Sequence, residues 1–402
     1  MGVWCMNCCF RAIQRWFVVS ALWGLGCLGV VQGAPETLLV LEPGPGRPRN
    51  SEGDIVELKD GRLCLIYSRF SNGSGDGSEG DLALRTSSDQ GKAWSDDRLI
   101  VPNEGRNVMS VSILRLKNDE LLLFYLRKGL DKDMQHEPRS CTLFVRRSSD
   151  EFKTVGPPVR VTLLPGYHVT NNDRVVQLKS GRLIAPAALH TSLDTTGTKI
   201  ATGTKIEGWD GRHKGLPIVY YSDDLGKTWK KDKTRITPMA ERKLTLQENG
   251  VVELEDGRLW MFMRTEHDYQ YECYSEDQGV TWTEPKPSVL KSPLSPASIE
   301  RLPWTGDLVC IWNDHSGTHP FPKGRRNPLC VAVSKDDGKT WSDSVVIEKD
   351  PDGWYCYTSM TFQKDRVLLT YNSCVLPTWC MNRLKVAALS RGWFERHFYS
   401  ER

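Results

Sequence analysis

The octapeptide SEDQGVTW, Ser275–Trp282, decides the fold. Taken alone it holds two acids and a serine near His267, and it invites a catalytic or a calcium-loop reading. It recurs, however, as SDDLGKTW (Ser222–Trp229) and SKDDGKTW (Ser334–Trp341). A near copy runs from Ser87 to Trp94 with Ala93 in place of Thr, and a worn copy from Ser148 to Val155 has Phe152 and Val155 in place of Gly and Trp. A catalytic constellation is needed once per site, so repetition points to architecture. Each copy also has too few acids in series for a calcium loop. The expected structure is a hairpin turn in which Asp accepts from nearby backbone N–H groups, Gly takes φ > 0 and Trp packs underneath.

A second repeat is interleaved with the first. VELKDGRLCLIYS (Val56–Ser68) is matched by VVQLKSGRLIAPA (Val175–Ala187) and VVELEDGRLWMFMR (Val251–Arg264). Looser versions start at Ile113, Ile299 and Met360. Each reads as strand, polar turn, strand, with β-branched and aromatic residues around a Gly or Asp. Hairpin joined to hairpin makes a four-stranded sheet, and six such sheets in a ring make an all-β, six-bladed β-propeller. No segment reads as a long amphipathic helix.

The repeat runs without a linker, so the 402 residues are expected to hold one large domain, residues 34–402. Net charge is +3, and Arg11 and Arg15 supply +2 of it within an acid-free 1–33 segment. The rest of the chain is close to neutral, which gives no footprint for nucleic acid. Arg11 and Arg15 precede an apolar run, Trp16–Val31, with small residues Val31 and Gly33 before Ala34. That pattern is a secretory signal peptide, with a short membrane anchor as the rival, and it places the domain outside the cytoplasm. Four of the twelve cysteines lie in this leader. The others read mostly as buried thiols, with Cys356, Cys374 and Cys380 as candidates for one disulfide.

Function must come from what breaks the repeat. Five stretches do so: RPRNSEGD (Arg47–Asp54), the Gly-rich SRFSNGSGDGSEGD (Ser68–Asp81), LQENGVVEL around Glu248, GRRNPLCVAVS with Arg325 and Arg326, and DGWYCYTSM with Tyr355 and Tyr357. TNNDRVVQL adds Asn172 and Asp173 just before a strand, as candidates for contact with substrate hydroxyls or an N-acyl group. His315 and His319 have H-x-x-x-H spacing but lack further ligands for zinc, and no metal is expected.

These residues together resemble the sialidases (neuraminidases), whose six-bladed propellers carry such turns as Asp-boxes. The resemblance covers nearly all of the chain after the leader. The family's E-x-x-V-V-E-L strand start is matched by Glu248–Leu254, followed by a hairpin ending in Arg264. Its Arg placed eight residues before an Asp-box Ser is matched by Arg326 before Ser334, and its Y-S-S-L by Tyr357-Thr358-Ser359-Met360. Two departures stand out. The family's first Arg sits in R-I-P, whereas this chain has PRNSEGD, with Arg49 chosen and Arg47 as the alternative; the loop acid is Asp76, with Asp81 as the alternative.

The resemblance implies an exo-α-sialidase working without metal or organic cofactor on sialylated glycans. The anomeric carboxylate of a sialic acid would be gripped by Arg49, Arg264 and Arg326 through charge-assisted hydrogen bonds. That carboxylate repels an anionic nucleophile, by about 1–4 kcal/mol at ~4 Å. A neutral phenol, Tyr357, avoids the repulsion but needs a base, Glu248. A loop carboxyl, Asp76, would protonate the leaving oxygen. Same-fold alternatives are an enzyme for another acidic nonulosonic sugar, a transferase, or a non-catalytic glycan- or protein-binding propeller.

Overall fold

The computed structural model describes residues 34–129, 140–190, 215–234, 244–375 and 381–400. The expected leader and Cys380 lie outside the described residues. The described chain is nearly all β, apart from a helical turn, Arg391–Phe394, that runs on to Tyr399 near the end. Strands follow one another as antiparallel meanders, because short polar turns join apolar runs that are buried on both faces, such as Leu121–Gly129 and Leu259–Arg264.

The first meander holds Arg49–Glu57, Leu63–Asn72, Glu79–Ser87 and Arg98–Val101. The second holds Asn107–Arg115, Leu121–Gly129, Ser140–Ser148 and Val159–Arg160, and the third Val176–Gln177, Leu183–His190, Gly215–Ser222 and Lys230–Lys231. Tyr167–Val169 joins these two into one nine-stranded sheet through a parallel pairing of Tyr167 with Cys141. Gln247–Glu253 opens the fourth meander and Ser298–Arg301 the fifth. The sixth runs through Gly353–Phe362, Arg366–Val375 and Leu384–Ser390, and its outer strand is Glu36–Leu41 from the other end of the domain.

The apolar core is divided into clusters, each between two successive meanders. Ile66 and Leu84 of the first meet Val111 and Tyr125 of the second; Trp260 and Phe262 of the fourth meet Ile299 and Cys310 of the fifth. The packing also returns from last to first, where Leu368 and Val386 meet Ile55 and Leu65. Fully burying one such side chain contributes about 1.5–3 kcal/mol, so interfaces between sheets carry the stability. Where the first strands of the meanders crowd together, buried polar groups satisfy one another across sheets. Asp54 accepts from Ile113 N at 2.6 Å, Ser298 Oγ donates to Thr358 O at 2.6 Å, and Thr361 Oγ1 donates to Ile55 O at 2.7 Å.

The repeated octapeptide is the turn expected of it. In SEDQGVTW, Ser275 Oγ donates to Asp277 Oδ1 at 2.9 Å, and Asp277 also accepts from Thr281 N and Oγ1 at 2.8 and 2.7 Å. Trp282 Nε1 donates to Gly279 O at 3.2 Å. Two successive residues take positive φ in every copy, such as Gln278 at 56° and Gly279 at 86°. In the worn copy Phe152 takes that role at 58° and buries its ring in the core. Each turn glycine also abuts the preceding sheet. A Cβ on Gly338 would lie 2.7 Å from the Trp260 ring.

Cys64, Cys310, Cys330 and Cys356 are buried free thiols, so Cys356 takes no part in the one disulfide expected among Cys356, Cys374 and Cys380, the last of which lies outside the described residues. Cys356 and Cys374 both sit in the sixth meander, where Cys374 pairs with Trp354 and Cys356 with Asn372.

Candidate functional site

The site begins with a backbone irregularity shared by four first strands. The register slips between Ser51 and Asp54, Met109 and Ser112, Gln247 and Gly250, and Cys356 and Ser359. At each slip one non-glycine residue takes positive φ: Glu52 at 44°, Ser110 at 62°, Glu248 at 54° and Tyr357 at 58°. An extra residue in a strand breaks the alternation of faces and re-aims one side chain. Holding a bulky residue there costs of order 1–3 kcal/mol, a strain that concentrates at functional sites. All four line one cavity of about 870 Å³.

Arg49, Asp76, Glu248, Arg264, Arg326 and Tyr357, remote in sequence, line the same cavity. Arg49 opens its strand opposite Phe70, whose ring lies 4.5 Å from the guanidinium carbon. Its Nη1 donates to Asp76 Oδ1 at 2.5 Å, and its Nη2 to Ser51 Oγ at 3.1 Å and Glu52 Oε1 at 3.2 Å. Arg264 closes the strand Leu259–Arg264 opposite Gln247 and donates to Glu248 Oε1 at 2.6 Å. Arg326 Nε donates to Leu294 O at 3.2 Å, and its guanidinium lies 5.3 Å from the Tyr357 ring centre. Tyr357 Oη donates to the same Glu248 Oε1 at 2.8 Å.

The electrostatics sort these groups. Burial works against the Glu248 charge, but Arg264 and Arg326 outweigh it and hold the carboxyl below its ordinary range. Burial, then Glu248, push the Tyr357 phenol well above its ordinary value, so it is neutral. A charged acceptor therefore faces a neutral O–H. The cavity walls partly desolvate the Asp76 carboxylate, which opposes its charge, yet Lys128 and Arg49 outweigh this and hold Asp76 ionised. Glu52 is pushed upward, first by burial. Arg49 Nε, Arg264 Nε, Glu248 Oε2 and Asn171 Nδ2, all from residues that line the cavity, are buried without a partner. Native interiors rarely leave such groups unpaired, and together they suit an anionic, hydrogen-bonding ligand.

Other sequence candidates lie elsewhere. Arg47 pairs with Asp97 at the surface, and Asp81 pairs with Arg69 at 2.8 Å; neither lines the cavity. Asn172 and Asp173 are corrected as substrate contacts. Asn172 is fully buried, donating to Gly53 O and Tyr357 O at 3.0 Å each. Asp173 accepts from Met360 N at 2.8 Å and borders a second cavity with Asp54 and Glu300. Their neighbour Asn171 is the one that lines the main cavity. Asp268 and Tyr269, in the stretch between Arg264 and the repeated turn, do not line it either. His315 stacks on Phe321 at 4.0 Å and reaches Asn327 O, whereas His319 reaches Ser344, so the two do not converge.

Glu52, Ser110, Lys128, Tyr167 and His190 also line the cavity, and sequence reasoning missed them. For the first two a signal exists. Counting six residues back from Leu58, Leu116, Leu178, Leu254 and Gln363 puts Glu52, Ser110, Asn172, Glu248 and Tyr357 in one column. No comparable sequence pattern marks Lys128, Tyr167 or His190.

A family model described as BNR repeat-like domain matches residues 70–369. A curated sialidase of Bacteroides fragilis is 24% identical over 358 residues, covering 80% of this chain. The matched region spans 59% of that relative's length. Among solved structures, the Hadza microbial sialidase Hz136 superposes with a TM-score of 0.64 at 18% identity, covering 86% of this chain and 66% of that one. A leech intramolecular trans-sialidase, complexed with 2,7-anhydro-Neu5Ac, gives a TM-score of 0.65 at 14% identity, covering 92% and 72%. At these identities the likeness speaks for the fold.

Proposed function

The chain belongs to the BNR repeat-like domain family, with the fold of sialidases, and from that premise we propose that it is a retaining exo-α-sialidase acting on terminal sialic acids of glycoconjugates. One observation carries the reading. Arg49, Arg264 and Arg326 come from three separate meanders and line one cavity with a Tyr357–Glu248 pair bonded at 2.8 Å. Three arginines have no packing reason to be buried in one place; a carboxylate ligand supplies one.

In this reading the three guanidinium groups seat the sugar carboxylate. Glu248 takes the proton from Tyr357 Oη as that oxygen attacks the anomeric carbon, and the bond to the leaving oxygen breaks. Asp76, which takes up a proton from solvent once the sugar carboxylate has displaced it from Arg49, gives that proton to the leaving oxygen. Water then attacks the tyrosyl–sugar bond, and the two proton transfers run in reverse. A tyrosine nucleophile is the known exception to the two-carboxylate pattern of glycosidases. The cyclic packing of the six meanders supports a six-bladed propeller, with the repeated turns as its Asp-boxes. The leader pattern of residues 1–33 supports export.

Purified protein incubated with a fluorogenic α-sialoside tests the reading. Release by the wild type and its loss in Tyr357→Phe are expected. No release, or full activity of Tyr357→Phe, refutes it. Transfer is the second reading, suggested by the intramolecular trans-sialidase among the structural neighbours. Product analysis separates free sialic acid from an anhydro or transferred product.

A further inference from the structure

Asp76 sits in a loop that cannot place itself. The stretch NGSGDGS, Asn72–Ser78, has three glycines and little to bury. The Asp76 side chain is 59% exposed, yet it reaches an arginine that is 1% exposed. Two things hold it. One is the ion pair with Arg49. The other is a set of donors from the second meander that grip the loop's carbonyls. Asn107 Nδ2 donates to Asp76 O at 2.9 Å and Ser78 O at 3.0 Å, Arg106 Nε to Gly77 O at 2.7 Å, and Lys128 Nζ to Asp76 O at 3.2 Å. Lys128 is buried, lines the cavity and has its ammonium 5.7 Å from the centre of the Tyr167 ring.

The first anchor does not survive catalysis as proposed. The substrate carboxylate must take the Arg49 guanidinium, because Arg49 belongs to its seat. Asp76 then loses its partner at the moment it is needed over the leaving oxygen. It also gains a negative neighbour, which favours its protonation from solvent against the remaining pull of Lys128. Something other than Arg49 must keep it in place.

We propose that Lys128 is a positioning residue for Asp76, fixing the loop backbone from the opposite wall while the substrate carboxylate displaces the Asp76 carboxylate from Arg49. The inference rests on the sialidase reading above. Lys128 itself touches no reacting atom in this scheme. Its ammonium donates to Asp76 O and faces the Tyr167 ring, whose backbone is paired into the sheet with Cys141 and His190.

The test compares two substrates that differ in their need for an acid. Sialyllactose leaves as an alkoxide-like sugar oxygen and needs a placed proton donor; an aryl sialoside with an acidic phenol needs it far less. Losing a positioned general acid costs about 10²–10⁴-fold where the leaving group is poor. Lys128→Met is therefore expected to lose about 10–100-fold more kcat/KM on sialyllactose than on the aryl sialoside, with Lys128→Arg recovering part of the difference. Thermal melts of both variants establish that they fold. An equal loss on both substrates, or no loss on sialyllactose, overturns the inference and leaves the sialidase reading standing. Turnover of neither substrate by the wild type removes both.

Discussion

Arg264→Met probes the two duties that the site gives one side chain. Arg264 Nη1 lies 2.6 Å from Glu248 Oε1, and its Nε is buried with no partner. At an effective dielectric near 20, unit charges at that separation attract by about 6 kcal/mol, before the cost of burying them. Methionine keeps the buried bulk and removes the charge. On the proposed reading, a substrate carboxylate then loses up to two charge-assisted hydrogen bonds, worth about 1.5–3 kcal/mol each. A loss of about 3–6 kcal/mol corresponds to about 10²–10⁴ in kcat/KM. Glu248 also changes. Arg264 is the leading influence holding its carboxyl below the ordinary value of 4.5, so removing it moves that pKa upward. The sign is fixed: a base must be ionised to work, so activity falls as pH drops through its pKa, and in the variant this fall begins at higher pH. Steady-state hydrolysis of a fluorogenic sialoside between about pH 4 and about pH 8 reads both effects. A kcat/KM within threefold of wild type (roughly 0.7 kcal/mol), or an acid limb that stays put, would refute the reasoning.

Three further outcomes follow from the fold. Asp277→Ala removes the acceptor of the Thr281 and Ser275 bonds and should cost about 1–2 kcal/mol of stability in a denaturant titration, while kcat/KM stays at the wild-type value because the turn only punctuates a sheet. Gly338→Ala places a Cβ 2.7 Å from the Trp260 ring at φ 85°, so it should lower stability by at least about 1 kcal/mol in the same assay. Glu300→Gln concerns the buried cluster with Asp54 and Asp173, where burial and then Asp173 push the Glu300 carboxyl well above its ordinary value. The folded state then binds more protons than the unfolded one, so this contribution is fullest below pH 4.5 and is lost as pH rises toward the folded value. Tm of Glu300→Gln should accordingly fall less than that of the wild type between acidic and mildly alkaline buffer; an identical decline would count against the assignment.

The candidate site was legible to the extent that its residues stand out in a row of hairpins. Glu248 was visible because an acid precedes a strand, and Arg264 because a cation ends one. Asn172 and Asp173 stood out for the same kind of reason and belong elsewhere. A strand alternates faces, so one residue of phase decides between cavity and core. Asn171 falls on the cavity and Asn172 on the contacts with Gly53 and Tyr357. Nothing in TNNDRVV marks that phase, because it depends on where the backbone takes positive φ, which here is Asp173 at 55°.

Sequence by itself determined the repeating unit. Apolar runs rich in β-branched and aromatic residues, Gly-Arg turns and five exact or worn copies of one octapeptide specify local hairpins, whose geometry depends on residues a few positions apart. The tertiary structure decided what those hairpins bring together. Arg49 rather than Arg47 lines the cavity, Asp76 rather than Asp81 bonds to it, and Glu52 and Lys128 join them. Those partners lie on different meanders or across a flexible loop. Their meeting depends on how the sheets pack around one centre, a non-local property that no short stretch encodes.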